Sequence, residues 1–189
     1  MSATLTKRFW IRWTLAVLVI AILVHVLTVW ALPRLIMRKV FEGVPVASGP
    51  NRAFYPPMTN ADARSIVMPS PDLLYAVCAY DLAKGPLRVT ANPVLDGYWS
   101  IALYSAASDN WFVVNDRQAA GRPVDLVIQE RGALRAAGAR PAGTRILESP
   151  SQRGLVLMRL LAGDYAKDGP TLEAARRTLA CTVLTPGGY

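Results

Sequence analysis

An apolar run from Trp13 to Pro33 is the feature that most limits what this chain can be. It contains no Asp, Glu, Lys or Arg. A helix needs about 20 apolar residues to cross the hydrocarbon layer of a bilayer. Trp10, Trp13 and Trp30 lie near the two ends of the run, where indole side chains favour the membrane interfaces. The run therefore predicts a transmembrane anchor over residues 13–33, with these tryptophans at the interfaces.

A cleaved signal peptide is the alternative interpretation of this run. A signal peptide has an apolar core of roughly 7–15 residues, followed by small residues at the cleavage site. Here the run is longer, and the residues after it (RLIMRK, 34–39) are bulky and basic, which favours a retained anchor. The short tail, residues 1–12, is easily kept in the cytoplasm. We therefore expect a single-pass protein of the bacterial inner membrane with a periplasmic C-terminal domain.

The formal net charge of +8 raises the question of nucleic-acid binding. Six of the 21 Lys and Arg residues flank the apolar run, three on each side, which leaves 15 cations against 13 acids elsewhere. The equal flanks give the positive-inside rule no preference. Cations beside a membrane span meet anionic lipid headgroups, and no basic stripe interleaved with aromatic residues follows. We therefore expect the lipid bilayer as a partner and no nucleic acid.

Residues 34–69 are predicted to be a connector. Their glycines and prolines, among them Gly43, Pro45, Pro56 and Pro57, are expected to prevent any long helix. At most, residues 34–41 continue as a short amphipathic piece at the membrane surface.

After Pro71, short apolar or alternating runs are separated by Gly, Pro, Asn and Asp, a pattern typical of strands joined by turns. The predicted strands cover residues 73–80, 87–91, 98–105, 111–115, 124–129, 145–148 and 154–161. Residues 170–179 predict one helix, with Asp168 as its cap and Pro170 in its first turn. The expected fold is mainly β (α+β): an N-terminal transmembrane helix, then an antiparallel β-sandwich over residues 70–189 with one C-terminal helix.

The segment SPDLLYAVCAYDLAKGP (70–86) carries a specific pattern. It resembles the domain of unknown function 1254 (DUF1254) family, whose pattern is Asn-Pro-Asp-Thr-Leu-Tyr, then hydrophobic residues, then Asp-Leu-x-x-Gly-Pro. The segments YWSIALYS (98–105) and NWFVV (110–114), and the SerPro at 149–150, extend the likeness over about residues 64–184. Ser70 and Leu73 stand where the family often has Asn and Thr.

This resemblance implies a jelly-roll-like domain and no established reaction. Longer members of the family carry a companion domain of the 1214 type (DUF1214), which this chain lacks. Small anchored members are often encoded beside a separate membrane-anchored protein of that type. The resemblance therefore implies a DUF1214-type membrane protein as a partner, joined across a sheet surface.

The residues needed for most catalytic mechanisms are missing from the predicted domain. The only histidine, His25, lies in the predicted span, so neither a Ser-His-Asp nor a Cys-His device is expected. The only cysteines, Cys78 and Cys181, are too far apart in sequence for a zinc site of ordinary spacing. In an oxidising compartment they are a candidate disulfide, and two buried thiols are the alternative. We expect no cofactor and no metal, and we lean towards a chain without enzyme activity.

Aspartates and aromatic residues remain as candidates for binding. Most of the aspartates are expected to cap turns, although a pair could serve acid–base chemistry on a sugar. Asp72 and Tyr75 lie within the family pattern, and Asp72 is predicted to bond Arg88 or Lys84 across a hairpin. The clustered aromatic residues on two neighbouring strands are Tyr98, Trp99, Tyr104 and Trp111. Strand alternation places Tyr98 and Tyr104 on one face and Trp99 on the other, so that one face is core and the other is free to stack on a sugar or pack against a partner.

Three functions follow from these patterns. The first is a noncatalytic envelope protein that acts through a protein partner, which an exposed, mostly apolar sheet face would favour. The second is an envelope enzyme that uses carboxylates on a sugar or lipid-linked substrate, which a cleft with two converging carboxylates would favour. The third is a glycan-binding module, which a shallow aromatic groove would favour.

Overall fold

Two four-stranded sheets, one long helix and two shorter helices are the main elements of the described part of the chain. A computed structural model of the protein describes residues 3–60, 69–132 and 143–184. The helices are α1 (Ala3–Ser48), α2 (Asp116–Ala119) and α3 (Tyr165–Arg176). The strands are β1 (Leu73–Asp81), β2 (Leu87–Ala91), β3 (Trp99–Ser105), β4 (Asn110–Asn115), β5 (Val124–Glu130), β6 (Arg145–Ser149), β7 (Arg153–Leu161) and β8 (Ala180–Val183).

The strand order confirms a mainly β fold. Sheet A has the order β1-β7-β3-β4 and is antiparallel throughout. Sheet B has the order β6-β5-β2-β8, and its β5–β6 pair is parallel, so the sandwich is not wholly antiparallel as predicted. The seven predicted strands are all present, whereas β8 was not predicted. This strand is only four residues long, and its sequence ACTV has no distinctive periodicity.

The core lies between the two sheets, because alternate strand positions carry the buried apolar side chains. The inward residues of β1 and β2 are Leu74, Ala76, Cys78, Tyr80, Leu87, Val89 and Ala91. From β3 and β7, the residues Trp99, Ile101, Leu103, Val156, Met158 and Leu160 join them. Fully burying one such Leu or Ile side chain contributes roughly 1.5–3 kcal/mol, which is why the strand alternation dictates the sandwich.

The prediction that glycines and prolines prevent a long helix after residue 33 is wrong. Helix α1 continues through Pro33 and Gly43 to Ser48. A proline inside a membrane helix is tolerated when the carbonyls it frees find other donors. The carbonyl that Pro33 leaves without its helical donor is that of Val29, one residue before Trp30. The Arg34 guanidinium donates to the carbonyl oxygen of Trp30 at 2.6 Å, and packing against sheet A stabilises the segment beyond. Residues 61–68 of the predicted connector lie outside the described residues.

The C-terminal helix begins five residues earlier than predicted. Its cap is Asp164, whose carboxylate accepts from the backbone N–H of Lys167 at 3.3 Å, and Asp168 lies inside the helix. Pro170 lies in the interior, where its missing N–H costs one backbone hydrogen bond. The helix ends at Arg176, and the chain beyond it closes through a bond from the N–H of Leu179 to the Arg176 carbonyl.

Arg176 ties this helix to the sandwich. Its side chain is only 4% exposed and forms two bonds to the Glu173 carboxylate, at 2.7 and 2.6 Å. The same guanidinium donates to the backbone carbonyls of Pro56 and Tyr75, the latter at 3.0 Å. A charged group taken out of water needs such partners. One residue therefore joins α3, the segment before β1, and β1 itself.

The two cysteines link the sheets. Cys78 lies on β1 in sheet A and Cys181 on β8 in sheet B, with their Cα atoms 6.8 Å apart, and they are paired as a disulfide. Cys78 is fully buried in the core. The pair connects the first strand of the domain to its last described strand.

Candidate functional site

The C-terminal part of α1 packs on the outer face of sheet A. Met37 and Phe41 are buried beside Ala79 of β1 and Leu155 of β7. The guanidinium carbon of Arg153 lies 4.7 Å from the ring centroid of Phe41, a cation–π contact that covers the same patch. The sandwich therefore packs against the same helix that carries the apolar run.

Much of the rest of this outer face is left uncovered by the described residues. We call it the open face and define it by Tyr75, Tyr98, Val113, Asn115, Arg159 and Leu161; Ser100 points to the same side but is only 1% exposed. These residues lie at the alternate positions that point away from the core. Leu161 is 50% exposed, and Tyr98 and Val113 are each 42% exposed. An exposed apolar patch rimmed by polar residues is typical of an interaction surface.

The aromatic candidates on or next to β3 lie on the faces of the sheet that strand alternation predicts. Trp99 is 4% exposed and lies in the core, while Tyr98 lies on the open face. Tyr104 packs against the cluster formed with α1, so the helix covers it. Trp111 packs against the core cluster at the edge of sheet A. Of the four, only Tyr98 is exposed.

Asp72 and Tyr75 have structural contacts with their own chain. The Asp72 carbonyl accepts from the N–H of Ala162, and the Tyr75 hydroxyl accepts from the N–H of Ser70 at 3.0 Å. The predicted bond of Asp72 to Arg88 is wrong, because Arg88 instead pairs with Asp125, and Lys84 forms no ion pair with Asp72 among the described residues.

Asp125 lies on β5, beside Arg88 on the neighbouring strand β2. Arg88 donates two bonds to this carboxylate, at 3.0 and 2.8 Å. The Thr144 hydroxyl donates to it as well, at 2.9 Å. The bonds from Arg88 hold the pKa of Asp125 below its ordinary value. Asp125 therefore serves as a structural ion-pair partner rather than as a turn cap.

Two clefts border the open face on the side of the loop that precedes β3. A cleft of about 470 Å³ lies between this loop and α3 and is lined by Asp96, Tyr98, Leu161, Asp168 and Leu172, among others. A second, of about 770 Å³, is lined by Asp96, Tyr98, Asn115, Asp116 and Arg117 with the neighbouring loop residues. Within the described residues, no group of three or more His, Cys, Asp or Glu side chains is placed to hold a metal ion.

The anchor helix has the dimensions of a membrane span. Residues 7–44 include an apolar window of mean hydropathy 2.8 with none of it buried inside the protein. Trp10, Trp13 and Trp30 are all exposed along this helix. The Arg34 guanidinium lies 4.5 Å from the Trp30 ring, where an interfacial tryptophan and a cation are both favoured.

The fold and these surfaces define a mainly β domain carried on a helix that is long and apolar enough to cross a membrane. Residues 50–183 match the family described as "Protein of unknown function (DUF1254)", and the chain belongs to this family. The resemblance found in the sequence is thereby confirmed. A search of the curated proteins finds no match.

Two solved structures resemble this fold. A crystal structure of the VPA0106 protein from Vibrio parahaemolyticus aligns with a TM-score of 0.61 and 14% identity, covering 80% of this chain and 35% of that chain. An uncharacterized protein from Burkholderia cenocepacia aligns with a TM-score of 0.42 and 17% identity, covering 60% of this chain and 32% of that chain. This chain thus spans about a third of the length of each.

Proposed function

We propose that this protein is a noncatalytic, membrane-anchored subunit that binds a DUF1214-type membrane protein through the open face of sheet A. The observation that supports this most directly is the exposure of Leu161, Val113 and Tyr98 beside the docked helix. Burying such side chains against a partner gains roughly 25 cal/mol for each Å² removed from water. The inner membrane and a periplasmic domain are part of the same proposal.

The continuous helix supports a partner that is itself anchored. A helix rises 1.5 Å per residue, so Met37 lies only about 6 Å beyond Pro33 along the axis. The sandwich, which packs on Met37 and Phe41, is thus held close to the membrane surface if the span ends near Pro33. A second protein anchored in the same membrane meets the open face at high effective concentration.

Co-purification of the full-length protein with a tagged DUF1214-type membrane protein, in mild detergent, tests this proposal. We expect one stoichiometric complex from the wild type and a large loss of complex from Leu161→Asp or Val113→Asp, because each places a charge in the interface. Thr182→Asp, at an exposed position of β8 in sheet B, is the matched control and should have no effect. Equal recovery from all four proteins would refute the proposal.

A saccharide-binding function is the second candidate, and the cleft beside α3 favours it. Tyr98 offers a ring for stacking, and Asp96 and Asp168 offer acceptors for hydroxyl groups. Titration of the full-length protein with envelope oligosaccharides, followed by tyrosine fluorescence and calorimetry, tests this candidate. Binding that is lost in Asp168→Asn would support it, and flat titrations would exclude it for those sugars.

A further inference from the structure

The apolar run of α1 carries three polar side chains besides its tryptophans, and all three lie on one side of the helix. They are Thr14, His25 and Thr28. Ala21 lies midway between the two threonines, seven residues from each, and His25 follows Ala21 by four residues. A spacing of alternately four and three residues keeps a row of side chains on one face of a helix. We call this row the seam and define it by Thr14, Leu18, Ala21, His25, Thr28 and Leu32, all of which are exposed.

His25 is the member of the seam that most needs a partner. Its imidazole forms no hydrogen bond or ion pair with any of the described residues. The Thr28 hydroxyl differs, because it donates to the carbonyl oxygen of Val24 at 2.8 Å, and its own oxygen remains able to accept. No water is present in the hydrocarbon layer to bond an imidazole, so an unpaired polar group there is costly. His25 therefore favours a state in which a second helix supplies its hydrogen bonds.

The position of the sandwich leaves the seam accessible. Helix α1 packs on sheet A through Met37 and Phe41, with Val40 and Val44 beside them. At 3.6 residues per turn, this packed face lies roughly 130° around the helix axis from the seam. Two helices can therefore meet along the seam while each sandwich stays on the far side of its own helix.

An identical helix complements the seam. A neutral imidazole has one N–H donor and one acceptor nitrogen, so two imidazoles can bond to each other. All copies of the chain cross the membrane in the same direction, so the helices of a symmetric pair are parallel and each seam residue faces its counterpart. His25 then meets His25 of the second copy, and the Thr28 hydroxyl oxygen of that copy is a further acceptor. Leu18 and Leu32, seven residues before and after His25, form equivalent apolar layers.

We infer that the seam is a homodimer interface within the membrane, in which hydrogen bonds of the two His25 side chains hold two copies of this chain together. The interface requires only that α1 spans the membrane. It holds for either orientation of the chain, and it does not depend on whether the open face binds a partner.

Disulfide crosslinking of the full-length protein in native membranes tests the geometry of this interface. Ala21→Cys places a thiol on the seam, and Ala16→Cys, which lies on roughly the opposite side of the helix, is the matched control. With copper phenanthroline as oxidant, Ala21→Cys should give a covalent dimer on a non-reducing gel, whereas Ala16→Cys and the wild type should remain monomeric. Equal crosslinking of the two variants would indicate random collision and overturn the inference. A crosslink from Ala21→Cys to a different protein in place of the dimer would overturn it as well.

The role of the histidine is tested in the Ala21→Cys background. His25→Leu should slow crosslinking roughly three- to tenfold, the range expected for hydrogen bonds between membrane helices. His25→Asn, which keeps a donor and an acceptor, should retain most of the dimer. His25→Leu combined with Leu23→His moves the imidazole to the far side of the helix and should crosslink as slowly as His25→Leu alone. An undiminished dimer in His25→Leu, or a dimer restored by Leu23→His, would show that the imidazole does not hold the pair, and would overturn the inference.

The same assay separates the homodimer from the complex with a DUF1214-type protein. Leu161→Asp, which should remove the tagged partner, should leave the Ala21→Cys crosslink unchanged. If the crosslink survives and no partner is recovered from the wild type, the homodimer stands and the proposed function falls. A crosslink that disappears in Leu161→Asp would show that the open face holds the two copies together, and would overturn the inference.

Discussion

The buried guanidinium of Arg176 permits a quantitative test of how the helix α3 is held. We consider Arg176→Met, which keeps a long aliphatic stem in the same place but removes the charged guanidinium. The substitution removes two bonds to Glu173 and the donors to two backbone carbonyls. Arg177→Met is the matched control, because Arg177 is 62% exposed and approaches the same carboxylate only to 3.6 Å.

The expected loss follows from burial. Breaking a buried ion pair costs about 3–5 kcal/mol, but Glu173 keeps some contact with water after the substitution. We therefore expect Arg176→Met to lower the free energy of unfolding by about 2–4 kcal/mol, including the carbonyls left without donors. The exposed pair formed by Arg177 should contribute less than about 1 kcal/mol.

The pH dependence of the stability provides a second test of the contact between Arg176 and Glu173. Burial tends to raise the pKa of Glu173, but the hydrogen bonds from Arg176 and Tyr165 and the charges of Arg176 and Arg177 outweigh it, so the pKa lies below its ordinary value of 4.5. A carboxyl group with a lowered pKa stabilises the fold above its unfolded pKa, and this contribution is lost as the pH falls through its folded pKa. The wild type should therefore lose stability below about pH 4.5, and Arg176→Met should lose less.

Urea unfolding of the full-length protein in detergent, followed by far-ultraviolet circular dichroism at neutral and acidic pH, measures both effects. Equal losses from Arg176→Met and Arg177→Met would refute the argument from burial. If the free energy of unfolding falls equally with pH in the wild type and in Arg176→Met, the argument from the Glu173 pKa is refuted.

Three further predictions concern the core, the disulfide and the helix. Trp99→Ala should lower the free energy of unfolding by about 3–5 kcal/mol, and a smaller loss in urea unfolding would contradict its burial in the core. Thiol alkylation of the denatured protein without reductant should label neither Cys78 nor Cys181, whereas labelling of both would contradict the disulfide and the oxidising compartment. Phe41→Ala should loosen α1 from sheet A by about 1–3 kcal/mol, and unchanged protease cleavage near residue 49 would contradict this.

The sequence was sufficient for most of the sandwich because its strands are short and sharply bounded. The run 73–80 is apolar and ends at the Asp81 and Gly85–Pro86 turn, and residues 87–91 alternate. Both became strands with nearly the predicted limits, β1 and β2. The parallel pairing of β6 could not be predicted, because pairing direction depends on how the chain returns to the sheet rather than on the strand's own residues.

The predicted helix boundaries were wrong where tertiary contacts or a better cap overrode the local preferences of the residues. Pro33 and Gly43 disfavour a helix, yet α1 passes both because its residues Met37 and Phe41 pack on sheet A. Pro170 suggests a helix start, but Asp164 provides a better cap one turn earlier. For α1 the deciding contacts come from residues distant in sequence, and for α3 the boundary is set by the capping residue Asp164.

The candidate binding surface, too, could be predicted from the sequence only in part. Strand alternation separated Trp99 from Tyr98 correctly, since it depends only on the period of two. Tyr104 shares the face of Tyr98 but is covered by α1, which no pattern within the strand indicates. Which part of this face is left exposed thus depends on tertiary packing that the strand sequences do not contain.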